Sequence, residues 1–277
     1  MPQGDCGLTR NPIFTSKDFM NTESIEKAFV KMGADVRFGE PGPWSRNFTV
    51  NVNRAGVFLI NSGIPVEFSV LDLKPKDRHL LLMARYKEAG ARNETKNRYL
   101  MGHDERHWFV SEISAPVSSV EAAKQSLKPS EVVEVESGLK TKNRHRRRNA
   151  AWLRQGEWFF VPAPSYQPDP NLILRDEPLI RGRGSKPHMC QELFRMGGET
   201  VYVSRRHPDG LSQKQYDDLS EKELRAQSWQ VMKRNPTVYV RGKIRHADHA
   251  TLILPCWHRV YVNREMLSAT GTVAFLD

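Results

Sequence analysis

Apolar residues in this chain come in short runs cut off by Gly, Pro, Asn and Asp, and few stretches carry the ~3.6-residue period of a helix. That pattern confines the chain to a strand-rich α+β fold: antiparallel sheets or a small barrel, with a few short helices. Val36 to Phe38, Phe48 to Val52 and Val57 to Ile60 read as strands, with Asn53 to Gly56 as a hairpin turn. Val66 to Leu73 puts Val66, Phe68 and Val70 on one face, as a half-buried strand does. Leu80 to Tyr86, Arg98 to Met101 and His107 to Ile113 continue the series. The spacing predicts a helix over 22–32, where Ile25, Ala28, Phe29 and Met32 share a face, a cap lies in Asn21 to Ser24 and Gly33 ends it. Ser118 and Glu121 have the spacing of a capping box before a second short helix closed by Pro129.

In the second half, Asn149 to Arg154 reads as a brief helix and Glu157 to Val161 as a strongly apolar strand. Prolines 162, 164, 168 and 170 mark a loop. Helices are expected over Gln191 to Met196 and within 212–232, where Leu219, Leu224 and Trp229 are the apolar marks. Thr200 to Ser204, Thr237 to Ile244, Ala250 to Leu254 and Arg259 to Asn263 read as strands, the last three as a meander or small barrel. The expected organisation is a neutral α+β domain at 1–133, a basic linker at 134–150, and a basic, strand-rich domain at 151–277.

Charge divides the chain. The net charge is +10. Residues 1–139 hold 18 basic and 18 acidic side chains, while residues 140–277 hold 24 and 14, so the excess lies in the second half. Lys140 to Arg148 alone contains six Lys or Arg and no acid, the composition of a linker or arm. A basic half points to an anionic partner, and nucleic acid is the commonest one. Arg144, Arg146, Arg147, Arg148, Arg181, Arg183, Arg245 and Arg259 are the candidate phosphate contacts. RNA and DNA are not distinguished. Trp152, Trp158, Phe159 and Phe160 follow the arginine run, as bases' stacking partners or as core. The neutral first half is the candidate surface for a protein partner.

No run approaches the ~18 apolar residues of a membrane span. Met1 to Gly7 lacks the regions of a signal peptide, so a cytoplasmic location is expected. The cysteines, Cys6, Cys190 and Cys256, are far apart and form no CxxC, which argues against a disulfide framework and against paired-cysteine zinc sites. His103 and Glu105 have the form of a zinc deaminase box, but Arg259 stands where a second cysteine would follow Pro255-Cys256. Gly182 and Gly184 match neither a phosphate loop nor a dinucleotide fingerprint.

The densest chemistry lies between His246 and His258. This segment holds three of the nine histidines, with Asp248 and Cys256. Imidazole ligates metals and moves protons near neutral pH. His246, His249 and His258 are therefore candidate catalytic groups, and the same three with His188 are candidate ligands for a divalent metal. His246 and His249 are three apart and face opposite ways on an extended strand, so they serve one site only if Ala247-Asp248 turns. Three functions follow from these features. The first is a nucleic-acid-binding protein, such as an accessory subunit of a ribonucleoprotein or mobile-element system. The second is a metal- or His-dependent hydrolase of nuclease type. The third is a protein-interaction scaffold.

Overall fold

The computed structural model describes residues 19–42, 48–53, 55–88, 90–104, 107–146, 148–180 and 186–263. The fold is α+β and strand-rich, in two compact units, Met1–Ala123 and Lys124–Asp277.

The first unit runs β1 (Phe19–Met20), α1 (Thr22–Met32), β2 (Val36–Gly39), β3 (Phe48–Val52), β4 (Phe58–Ser62), β5 (Val66–Lys74), β6 (His79–Tyr86), β7 (Thr95–Asp104), β8 (His107–Ile113) and into α2 (Val120–Ser126). A five-stranded sheet has the order β1-β5-β6-β7-β8, and a three-stranded sheet the order β2-β4-β3. The helical face expected from sequence is the buried one: Ile25, Phe29 and Met32 pack with Phe58, Ile60, Phe68, Leu80 and Leu82 in one core. Gly33 takes the left-handed conformation, φ 79°, that ends α1, and the Ala34 N–H returns to the Phe29 carbonyl at 3.0 Å. Asn21 makes no side-chain cap; Ser24 Oγ donates to its carbonyl at 2.9 Å instead. At α2 the cap comes from Ser119, whose Oγ accepts the Ala122 N–H at 3.2 Å, and from Asp72, whose carboxylate accepts the Val120 N–H at 2.8 Å.

The second unit continues with α3 (Ser130–Val135), α4 (Thr141–Arg144), β9 (Leu153–Gln155), β10 (Trp158–Pro162), β11 (Leu174–Leu179), β12 (His188–Met196), β13 (Glu199–Val203), β14 (Leu211–Ser212), α5 (Gln213–Asp217), α6 (Glu221–Arg225), β15 (Gln230–Arg234), β16 (Thr237–Arg245) and β17 (Leu252–Val262). Six strands form one sheet, β11-β12-β16-β17-β10-β9, and three form another, β14-β13-β15. Among the described residues no sheet closes into a barrel. β10 is buried on both faces. Trp158 and Phe160 pack with Leu193, Val240, Ile244 and Leu254, whereas Phe159 and Val161 pack with Val132 and Trp152.

Several segments differ from the sequence reading, each for a local reason. Residues 134–150 lie in the second unit and carry parts of α3 and α4. They are held by a buried ion pair: Lys128 Nζ reaches both Glu136 oxygens at 2.8 Å and donates to the Arg144 carbonyl at 2.7 Å. Trp152 Nε1 and Gln125 Nε2 donate to the same carboxylate at 2.9 and 2.8 Å. Residues 149–152 turn on Asn149, whose side chain accepts the N–H groups of Ala151 and Trp152, and β9 follows rather than a helix. Gln191 to Met196 lies in strand β12, paired with β11 on one side and β16 on the other. The expected helix over 212–232 is two short ones, because Ser212 with Gln215 and Ser220 with Glu223 each form a capping box that starts a helix afresh. The last two expected strands are one, β17. It runs through Pro255 at a bulge, where Val240 pairs with His258 and Gly242 with Leu254, so the missing N–H leaves no ladder bond broken.

Lys128→Ala strands the Glu136 carboxylate in the core, and removing one partner of a buried pair typically costs about 3–5 kcal/mol. Urea unfolding is expected to show that loss, and the double change Lys128→Met with Glu136→Leu a much smaller one.

Candidate metal centre

His188 opens β12, and its neighbour Met189 pairs with Arg245 at the end of β16. The chain then bends through Ala247 to His249 before β17 begins. The Asp248 N–H donates to His246 Nδ1 at 3.1 Å, which tightens the bend. The condition posed by the sequence is therefore met, and His246 and His249 fall on the same side. Potential ligand atoms of His188, His246 and His249 all lie within 4.8 Å of one another. Ring centroids are 4.2 Å apart for His188 and His246, 4.5 Å for His246 and His249, and 5.9 Å for His188 and His249.

Burial and neighbouring charge disfavour the protonated form of two of these imidazoles. Burial, then the charges of His246 and His249, push the His188 pKa down to about 3. Burial, followed by His249, also lowers that of His246. Neutral imidazole is the form that binds metal.

His188 is the informative member. It is 1% exposed, and neither ring nitrogen has a hydrogen-bond partner. An unpartnered buried polar group costs about 1–3 kcal/mol, and an apolar side chain of similar shape would avoid that cost. A nitrogen lone pair held this way fits an incoming cation.

The β9–β10 hairpin completes the surroundings. Gln155 pairs with Trp158, leaving Gly156 and Glu157 as the two turn residues. Gly156 has φ 56°, the positive angle that a Gly-first hairpin turn needs. A Cβ at Gly156 would stand 3.1 Å from His249 Nε2 and 3.5 Å from His188 Nε2. A side chain at this position would crowd both nitrogens, which glycine leaves uncovered. Three imidazole nitrogens without a thiolate suit Zn²⁺, and also Mn²⁺, Fe²⁺ or Co²⁺. Binding would draw the nitrogens to about 2.0–2.1 Å from a zinc ion and tilt the rings out of their stack. Around the set, Lys186 Nζ holds Asp248 at 2.8 Å, and Arg154 Nε donates to the Gly156 carbonyl at 2.8 Å.

The other expected site residues lie elsewhere or in structural roles. His258 is outside the group; it lies in β17 opposite Val240 of β16 and Pro162 of β10. It is 3% exposed, its Nδ1 hydrogen-bonds the Cys256 carbonyl at 2.8 Å, and burial lowers its pKa. Arg144 donates to the carbonyls of Leu139 and Ser137, at 2.9 and 2.8 Å. Arg245 pairs with Asp176 at 2.6 Å, and the Arg259 guanidinium lies 4.9 Å from the Tyr261 ring centre. Arg146 and Arg148 are exposed. Arg147, Arg181 and Arg183 lie outside the described residues. Trp152, Trp158, Phe159 and Phe160 are core, at most 2% exposed, so base stacking is closed to them. Gln155 and Gly156 carry one sequence signal, a Gln-Gly pair directly before the apolar run of Trp158 to Val161.

No protein-family model, curated protein or solved structure matches this chain. No helix among the described residues is long and apolar enough to cross a membrane.

His188→Phe is expected to abolish metal binding while leaving the metal-free protein as stable or more so, by up to a few kcal/mol; thermal melts with and without chelator would read both. The folded-state pKa of His188 lies below the unfolded value, so its contribution is complete above about pH 6.5 and is lost as pH falls towards about 3. Chelated wild type should lose roughly 1.4 kcal/mol per pH unit from this group through that window, and His188→Phe should not. Gly156→Ala should weaken metal uptake by at least tenfold in a direct titration, because its methyl group would crowd both nitrogens and strain a turn that needs positive φ.

Proposed function

We propose that the second unit holds a divalent transition metal on His188, His246 and His249 and uses it to hydrolyse an anionic, phosphate-bearing substrate, with nucleic acid the class its charge favours. The carrying observation is the buried His188 ring, unpartnered at both nitrogens beside two further imidazoles. Three protein ligands with a position to spare is the arrangement of hydrolytic zinc sites, where the metal supplies Lewis acidity towards water and substrate. Two carboxylates, Asp248 and Glu157, lie close enough for their charges to act on His246. The excess of 24 basic over 14 acidic side chains in residues 140–277 supports a polyanionic substrate.

The test is elemental analysis of protein purified without chelator, followed by assays on a panel of phosphomonoesters, phosphodiesters, RNA and DNA. One metal per chain is expected, with cleavage lost in His249→Ala and retained in His258→Gln. Metal-free, inactive protein that also fails to take up added Zn²⁺, Mn²⁺ or Co²⁺ would overturn the reading.

The exposed Arg146 and Arg148 favour a second reading, nucleic-acid binding without cleavage. It expects affinity that falls steeply with added salt, the slope reporting the number of phosphates engaged. Replacing both arginines with Ala should flatten that slope by about two contacts. Affinity indifferent to salt would remove this reading.

A further inference from the structure

Gln155 is the most deeply buried polar side chain next to the histidine cluster and has no structural task that accounts for its oxygen. It is 1% exposed. Its Nε2 donates to the carbonyl of Ala250, the residue after His249, at 2.6 Å. A carbonyl only accepts, so the atom facing Ala250 must be the amide nitrogen, and the amide orientation is fixed. Oε1 is therefore turned to the other side, where it is buried without a hydrogen-bond partner. The residue after Gln155 is Gly156, close beside the Nε2 atoms of His249 and His188. Gln155 is thus tied to the cluster twice, through its amide to the His249 side of the bend and through its backbone to the hairpin tip. Like the nitrogens of His188, its oxygen is a lone-pair donor that the protein itself leaves unused, at a cost of about 1–3 kcal/mol.

We propose that Gln155 completes the histidine centre as a neutral oxygen ligand, giving three imidazoles and one amide that hold a divalent metal and leave it able to bind an anion. This rests on the metal reading above. Imidazole and amide ligands bring no charge, so the ion keeps its full double charge within a basic half of the chain. Of the two nearby carboxylates, Asp248 is already paired with Lys186 at 2.8 Å. With no carboxylate in this ligand set, charge balance falls to an exogenous ligand, and an oxyanion such as a phosphate group is the chemistry that supplies it. An amide oxygen also shifts preference from zinc towards harder ions such as Mn²⁺ and Fe²⁺.

The experiment titrates Co²⁺ into chelator-treated full-length protein, following the visible absorption of bound cobalt, then adds azide as an anionic probe. Wild type should bind one Co²⁺ and change its spectrum with azide. Gln155→Leu should weaken Co²⁺ binding about 10–100-fold, the range seen when a group supporting a metal site is removed. Gln155→Glu loses the donor to the Ala250 carbonyl but keeps an oxygen for the metal; its bound Co²⁺ should respond less to azide, because the carboxylate now supplies the charge. Circular dichroism of the metal-free proteins checks folding, and Gln155→Glu carries the test if the Leu variant does not fold. Wild-type affinity and spectrum in Gln155→Leu, or an undiminished azide response in Gln155→Glu, would overturn the role of Gln155 and leave the histidine centre standing. A wild type that takes up no Co²⁺ would instead remove the metal reading, and this inference with it.

Discussion

The second unit is organised around a strand that has no polar side. Trp158, Phe159, Phe160 and Val161 are all buried, so β10 needs apolar partners above and below the sheet at once. One requirement is met by the inner faces of β12, β16 and β17, and the other by α3 and Trp152. Burial of this kind fixes the register of β10 against β17 and β9, since a slip by one residue would exchange the two faces and their partners. With the register set, the Gly156 tip has one possible place, and that place is beside His188 and His249.

The histidine centre is the opposite case, a polar group placed where the packing would accept an apolar one. A Phe at position 188 would satisfy the core better than an imidazole with both nitrogens unpartnered. Such local costs persist in folded proteins where a site is held ready for something else. The neighbouring orphan oxygen of Gln155 repeats the pattern on a different strand of the same sheet, joined to the histidine bend by its amide's bond to the Ala250 carbonyl.

The parts of the fold set by local chemistry were open to reading from the sequence. The α1 face, the Gly33 terminus and the strands β3, β5 and β8 follow from periodicity and turn residues alone. What escaped were decisions made by tertiary partners. Residues 191–196 have the same short apolar pattern whether helical or extended, and only pairing with β11 and β16 selects the strand. Pro255 reads as a strand end unless a bulge is known to absorb it. The six cations of Lys140 to Arg148 read as a free arm, because no sequence pattern reveals that Arg144 is consumed by backbone carbonyls. At the centre itself, the His246 and His249 bend and the candidacy of His188 were legible. The separation of His258 was not, because it depends on the register of β17 against β10 and β16. Gln155 carries no chemical signature until its burial is known.

The edges of the six-stranded sheet have a bearing on how the protein behaves among copies of itself. One edge, β9, is three residues long. The other, β11, carries Pro178, which has no N–H to offer, and Asp176, whose φ of 50° interrupts the extended backbone. Short edges, proline and charge are the features that keep exposed sheet margins from templating another strand. A sheet with two apolar layers around β10 would be a strong nucleus for end-to-end β association if either margin were long and regular. The irregularity of β11 is what lets so apolar a strand be made without turning the molecule into a fibre-forming one.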